Sequence, residues 1–213
     1  MPGAGGRTVA GRTPSVGIDL AGSPTRRTGF CVLGPGLRTR TTVLGDDEAI
    51  LAAVRAVAPR LVAIDAPLSL PRGRRSLDVP GPPHLRACDR ELQRLGIRFF
   101  PVTLGPMRTL TRRGIALAAK LAAGGVPSIE AYPGGAQDLL GIPRKGAGAE
   151  RLRRALLRCG FTGSVEDRTI THDELDAVMC AYTGREHLAG RSLVLGDPTE
   201  GTLVLPQAPV RRR

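Results

Sequence analysis

Short apolar runs separated by turn-forming residues dominate the first 65 positions and predict a series of strands. Four runs of strand length lie at 16–20, 28–33, 37–44 and 61–65. Between the third and the fourth, Asp46 or Asp47 can cap a helix that runs to Ala58, with Pro59 just beyond it. The predicted order is therefore strand, strand, strand, helix, strand.

The rest of the chain alternates helical patterns with loops rich in proline, glycine and arginine. Helices are predicted over 85–95, 107–123, 149–159 and 171–188, with a short one after Pro133. Further strands are predicted at 127–132 and 201–205. We divide the chain into a loose leader (1–15), one α/β domain (16–206) interrupted by a helical and loop insertion (about 71–125), and a basic tail (207–213).

Composition limits the class of protein. The 213 residues are 41% hydrophobic and 23% charged, which excludes a wholly disordered chain. No apolar run approaches the roughly 20 residues that span a bilayer. The arginine-containing N-terminus has no apolar segment of the kind a secretion signal needs. We therefore expect a cytoplasmic protein that does not associate with membranes.

Charge gives the first positive indication of a partner. The formal net charge is +12, and only Lys120 and Lys145 among the 31 basic residues are lysines. Arginine binds phosphate through two parallel hydrogen bonds, so the composition favours a nucleic-acid partner. The alternative is a GC-rich genome that encodes arginine freely. Aromatic residues are only 3% and tryptophan is absent, which argues against base stacking.

The four cysteines are far apart and form no pattern with histidine that predicts a zinc site. Buried free thiols are the expected state, although a Cys159–Cys180 disulfide remains open.

Two aspartates end apolar strands. Asp19 lies near the end of the first predicted strand and Asp65 at the end of the fourth, and a turn follows each. A carboxylate in such a place needs a partner, and alone each could accept N–H groups of its own turn. If the two strands are parallel neighbours, however, both carboxylates meet at one edge of the sheet, which predicts a site for divalent cations.

Three further acids are candidates. Glu130 interrupts an apolar strand and is either part of this site or a solvated residue on an open face. In the segment Thr171–Ala177, a capping box of Thr171 with Glu174 explains the acids of the first helical turn, including Asp173. It does not explain Asp176, which precedes an apolar run, so we assign Asp176 to the site.

Converging carboxylates without a cysteine or histidine cluster are typical of Mg²⁺ or Mn²⁺ sites. Two such ions about 4 Å apart can activate water and stabilise the leaving oxygen of a phosphodiester. We expect Asp19, Asp65 and Asp176 to be the metal ligands, with Asp173 or Glu130 completing the catalytic site.

Five segments, taken together, resemble the prokaryotic family catalogued as domain of unknown function 429. They are GIDLAGSPTRRTGFCVL, VAIDAPLSLP, RELQRLGIRFFPVTLGPMRTLTRRGIAL, IEAYPGGAQDLLGIPRKG and THDELDAV, and the resemblance spans about residues 16–206. It implies a ribonuclease H-like fold, with three antiparallel strands, then parallel strands, and flanking helices, and a predicted nuclease activity. Asp19, Asp65 and Asp176 match the acidic positions of that pattern; Glu130 and the 71–125 insertion depart from it.

The insertion and the loop at 143–146 contain most of the basic residues that we expect to contact nucleic acid. They are Arg86, Arg98, Arg108, Arg112, Arg113, Arg144 and Lys145, with hydroxyls from Thr109 and Thr111. Such residues would hold a phosphate backbone without reading its sequence, while the alternative for each is a solvated positive surface.

Three functions remain open at this point. The first is a metal-dependent nuclease acting on DNA or RNA. The second is a nucleotide-binding phosphotransferase of the sugar-kinase and actin type, which shares the strand order but usually needs two such domains. The third is a non-catalytic nucleic-acid-binding protein. The acids on strands favour the nuclease.

Overall fold

The computed structural model describes residues 14–207, in which strands and helices alternate along the chain. The strands are β1 (Ser15–Asp19), β2 (Thr28–Leu33), β3 (Arg38–Leu44), β4 (Val62–Asp65), β5 (Ser128–Ala131), β6 (Thr162–Gly163), β7 (Ser192–Asp197) and β8 (Gly201–Pro206). The helices are α1 (Asp47–Val57), α2 (Ala87–Arg94), α3 (Gly105–Ala123), α4 (Pro133–Leu140), α5 (Ala149–Arg158) and α6 (His172–Leu188).

All eight described strands belong to one mixed sheet with the order β6-β3-β2-β1-β4-β5-β8-β7. Strands β1, β2 and β3 are antiparallel neighbours. Strands β4, β5 and β8 continue the sheet from β1 in parallel, and β7 closes it as an antiparallel edge. The predicted α/β class, with a mixed sheet flanked by helices, is confirmed.

Alternation along β1 and β4 gives the two faces of the sheet different roles. Val16 and Ile18 point to one face, where α1 and α3 cover them with a shared apolar core. Gly17 points to the other face, where α6 lies. A Cβ on Gly17 would overlap the backbone of Ala177 and Ala181, so glycine lets α6 lie directly on the strand. Asp19, two residues further on, shares this face.

Most of the predicted elements are present, with three differences. The short strand β6 and the edge strand β7 were not predicted, and α3 begins at Gly105 rather than at Met107. The turn Pro198–Glu200 joins β7 to β8 as a hairpin, so the apolar run from 193 to 195 pairs in register with 203 to 205. In the sequence, the apolar run on each side of a proline-containing turn could have predicted this hairpin.

The structure also bears on the predictions for the cysteines, the helix caps, membrane-spanning helices and the two ends of the chain. All four cysteines are free, so Cys159 and Cys180 form no disulfide in the structure. Thr171 and Glu174 form the predicted capping box, and Asp46 caps α1. In residues 14–207 no helix combines the length and apolarity needed to cross a membrane. The predicted leader and tail lie almost wholly outside the described residues.

Candidate active site

Two aspartates stand side by side at the carboxyl ends of parallel strands. Asp19 of β1 and Asp65 of β4 are register partners. Both belong to the face that α6 covers, because each is an even number of residues from a position packed against that helix: Gly17 in β1 and Ala63 in β4. The two carboxyl groups are close enough for each to affect the pKa of the other. The condition for a shared site, that these two strands be parallel neighbours, is met.

Helix α6 brings a third carboxylate to the same place. Asp176 is 2% exposed, and the side chain of Gln137 from α4 donates a 2.8 Å hydrogen bond to its Oδ1. The ammonium of Lys145 lies 3.2 Å from its Oδ2. Contact between α6 and β2 at Gly29, where a Cβ would overlap the Asp173 carbonyl, fixes the height of the helix on the sheet. The close glycine contacts therefore determine where Asp176 lies.

Crowding of these acids changes their ionisation. Burial, followed by the negative charge of Asp176, raises the pKa of Asp19 to about 7. Burial and then the charge of Asp19 raise the pKa of Asp65 well above its usual range. Burial also raises the pKa of Asp176, although Lys145 and Gln137 oppose that shift. Three acids that resist ionising together form a site with affinity for positive charge.

Lys145 supplies that charge in the structure. Its pKa is raised above the usual lysine value: burial lowers it, but the charges of Asp19 and Asp176 outweigh that effect. The sequence placed Lys145 among phosphate contacts, whereas the structure pairs it with Asp176. Across residues 14–207, no three acidic, histidine or cysteine side chains are arranged as a ready-made metal site.

Asp173 and Glu130 differ in their relation to the three acids. Asp173 is half-buried in the first turn of α6, and its charge contributes to the raised pKa of Asp19. Glu130 is 4% exposed and forms two hydrogen bonds, of 2.6 and 2.8 Å, with the guanidinium of Arg86. It also accepts the Leu68 N–H. Asp173 is therefore close enough for its charge to affect Asp19, whereas Glu130 has a separate partner in Arg86.

Some of the basic residues predicted to contact nucleic acid are buried and paired, and the others lie at the surface. Arg86 is 2% exposed and lies between Glu130 and Asp89, so the structure does not bring it to the surface. Arg113 is buried against Asp47, and the Thr111 hydroxyl bonds to the Met107 carbonyl. The other predicted contacts lie at least partly at the surface: Arg98, Arg108, Thr109, Arg112, Arg144 and Lys145. Of these, Arg112 pairs with Asp78 and Arg144 with Asp138.

A cavity of about 320 Å³ opens beside Asp65 and Asp176. The Arg86–Glu130 pair and Gln137 contribute polar groups to its lining. Its apolar walls come from the insertion and from α3 and β5: Phe99, Phe100, Met107, Leu110 and Tyr132 are among them. Gln137 and the aromatic residues were missed in the sequence. The doublet Phe99–Phe100 in an irregular segment was the available signal, because large apolar residues outside regular elements often line sites.

Fold and site together define an α/β protein with an acidic cluster at the carboxyl ends of parallel strands. The profile of a protein family of unknown function (DUF429) matches residues 17–200. The chain belongs to this family, as its sequence motifs indicated. Neither the curated proteins nor the solved structures contain a match to the chain.

Proposed function

We propose that the protein is a metal-dependent nuclease that hydrolyses phosphodiester bonds of nucleic acid. The observation that carries the proposal is the meeting of Asp19, Asp65 and Asp176, from β1, β4 and α6, with the pKa of each raised. Perturbed acids gathered at a cavity are typical of catalytic sites. A purely structural cluster would gain stability from pairing each acid with its own arginine, as Glu130 does with Arg86.

The sheet supports the same proposal. Strands β3, β2, β1, β4 and β5 lie side by side in that order, with the first three antiparallel and the last two parallel to β1. We interpret this core as ribonuclease H-like. In such a core, acids on the first strand, the fourth strand and the last helix come together, and Asp19, Asp65 and Asp176 occupy those positions.

The residues fit a hard divalent cation by their chemistry. Asp19, Asp65 and Asp176 offer only oxygen ligands, which Mg²⁺ and Mn²⁺ prefer, and their mutual repulsion is relieved by added positive charge. When bound, the ion supplies Lewis-acid stabilisation of phosphodiester oxygens and activation of water. Gln137 orients Asp176 through its hydrogen bond, and Lys145 neutralises the cluster when no ion is present.

Surface cations near the site would position the substrate. Lys145 is at the cluster, Arg144 lines the neighbouring cavity, and Arg98 is exposed beside it. These side chains contact phosphates without reading bases, which suits a nuclease of low sequence specificity. The net charge of +12 favours association with any polyanion and makes binding dependent on salt.

The test is cleavage of single-stranded, double-stranded, hybrid and branched nucleic acids with Mg²⁺ or Mn²⁺. We expect Asp19→Asn and Asp65→Asn each to reduce cleavage by at least about 100-fold. Asp78→Asn is the control, because Asp78 lies on the exposed loop and pairs only with Arg112 and Ser76. Equal cleavage by all variants would show that activity comes from a contaminant or another site.

The same proteins and substrates distinguish the nuclease from the two other functions, a non-catalytic binding protein and a phosphotransferase. Binding of nucleic acid that is unchanged in Asp19→Asn, with no cleavage of any substrate by the wild type, would identify a non-catalytic binding protein. Binding of ATP by calorimetry, with no affinity for nucleic acid, would identify a phosphotransferase. Either result would overturn the nuclease proposal.

A further inference from the structure

The cavity beside the acids is larger and more apolar than a phosphate backbone requires. Its volume of about 320 Å³ lies within the range of sites that enclose an organic ring system. Phe99, Phe100, Met107 and Leu110 form walls from which a phosphate gains nothing. Asp65 and Asp176 lie in the lining of the same cavity, so a group bound there would be next to the candidate catalytic acids.

Half of the aromatic residues of the chain gather at this cavity. The sequence has four phenylalanines, two tyrosines and no tryptophan. Phe30 belongs to the core, and Phe161 packs edge-to-face on Tyr182. The remaining three, Phe99, Phe100 and Tyr132, line the cavity. The low aromatic content of the sequence argued against base stacking, but the fold places half of the aromatic rings around this one cavity.

Phe100 is the most exposed of the large hydrophobic residues described in the structure. It is 67% exposed, so its ring is accessible to a ligand. The adjoining larger cavity, about 890 Å³, shares Phe99, Phe100, Tyr132 and Arg144 with the first. We call these four residues the shared wall. Its three aromatic side chains therefore line both cavities.

Arg98 and Arg144 place guanidinium groups at the shared wall, with Asp138 paired to Arg144. The Arg144 guanidinium lies 5.6 Å from the centre of the Tyr132 ring, and the Tyr132 hydroxyl donates a hydrogen bond to the Arg98 carbonyl. Arg98 itself is exposed and lines the larger cavity. An apolar slot edged by arginines suits a flat ring attached to an anionic chain. A neutral lipid or an apolar peptide would not use the arginines.

We propose that the cavity receives one unpaired nucleobase of the substrate, which stacks on Phe100 and the other aromatic side chains of the shared wall. The inference rests on the proposed nuclease function and narrows its substrate class to single-stranded nucleic acid or to a base turned out of a duplex. Enzymes that take a base out of the stack hold it between aromatic and apolar side chains in this way. The neighbouring phosphate would then lie toward Asp65 and Asp176.

The test uses binding without cleavage. Fluorescein-labelled single strands of equal length, one with all its bases and one abasic throughout, are titrated with the full chain in EDTA, so that no shift along the strand can place another base in the pocket. We expect the wild type to bind the abasic strand about tenfold more weakly, the loss expected for one stacked base. Phe100→Ala should bind the intact strand about tenfold more weakly than the wild type does and be insensitive to loss of the bases.

Leu104→Ala is the matched control, because Leu104 is 46% exposed, precedes α3 and lines neither cavity. It should bind like the wild type. Equal affinity of the wild type for the two strands, or an equal loss of affinity for the intact strand in both variants, would overturn the base pocket. The result is independent of catalysis. A protein that cleaves but binds both strands equally loses the pocket and keeps the nuclease, and one that prefers the intact strand without cleaving it loses the nuclease and keeps the pocket.

Discussion

Replacing Asp19 with asparagine should stabilise the metal-free protein at alkaline pH, even though it removes a candidate ligand. The unfolded chain ionises Asp19 near pKa 3.8, whereas burial and the charge of Asp176 raise its pKa to about 7 in the folded state. Between these values the folded protein binds a proton that the unfolded chain has released. Stability therefore falls as the pH rises from about 4 to about 7, and it stays at the lower level above that.

The magnitude follows from the size of the shift. Each unit of pKa difference corresponds to about 1.36 kcal/mol, so a shift from 3.8 to about 7 sets an upper limit of about 4 kcal/mol on the cost of ionising Asp19. The Asp65 carboxyl shares this cost, because its own pKa is raised by burial and then by the charge of Asp19. We therefore expect Asp19→Asn to be more stable than the wild type by about 2–4 kcal/mol at pH 8.

Urea unfolding in EDTA at pH 4.5 and pH 8 measures the effect. At pH 4.5 the folded wild type has Asp19 protonated, whereas most unfolded chains have released that proton, so ionisation costs only about 1 kcal/mol and the two proteins should differ much less than at pH 8. The variant should gain its advantage only as the pH rises. A difference between variant and wild type that is the same at both pH values would refute the assignment, because it would show that Asp19 ionises normally within the cluster.

Three further predictions test the parts of the structure that hold the site. Gly17→Ala should destabilise the fold by about 1–3 kcal/mol, because its methyl group would overlap α6, while Gly45→Ala, with open space around it, should not. In thermal unfolding, Glu130→Gln should cost about 1.5–3 kcal/mol, because the buried Arg86 keeps Asp89 as a partner but loses its charged hydrogen bonds to Glu130. Arg72→Ala, which breaks an exposed ion pair, should cost under about 1 kcal/mol, and equal losses would contradict the buried pair. Ellman's reagent should label one thiol in the native protein, Cys159, and four after unfolding; rapid labelling of more than one would show that the other thiols are accessible.

The acids of the site were predictable because each lies where the local sequence pattern does not account for a carboxylate. Asp19 and Asp65 end apolar strands, and Asp176 lies beyond the reach of the helix cap that explains its neighbours. The predicted order of strand, strand, strand, helix and strand allowed β1 and β4 to be parallel neighbours, and the structure places them so. These inferences need only local patterns and the order of the elements.

Partners distant in sequence were not predictable in the same way. Glu130 meets Arg86 across 44 positions, and Lys145 meets Asp176 across a helix and a loop. No local pattern distinguishes a buried arginine from one at the surface, so Arg86 was expected to contact nucleic acid. The gathering of Phe99, Phe100 and Tyr132 likewise depends on how the insertion packs against β5 and α4, which composition does not encode.

The most direct test of the account is diffraction from Mn²⁺-soaked crystals of the wild-type chain. We predict anomalous density among the carboxylates of Asp19, Asp65 and Asp176, with the Lys145 ammonium displaced from its 3.2 Å contact with Asp176. Density absent at saturating Mn²⁺, with that contact intact, would contradict the claim that these acids form a metal-dependent catalytic site.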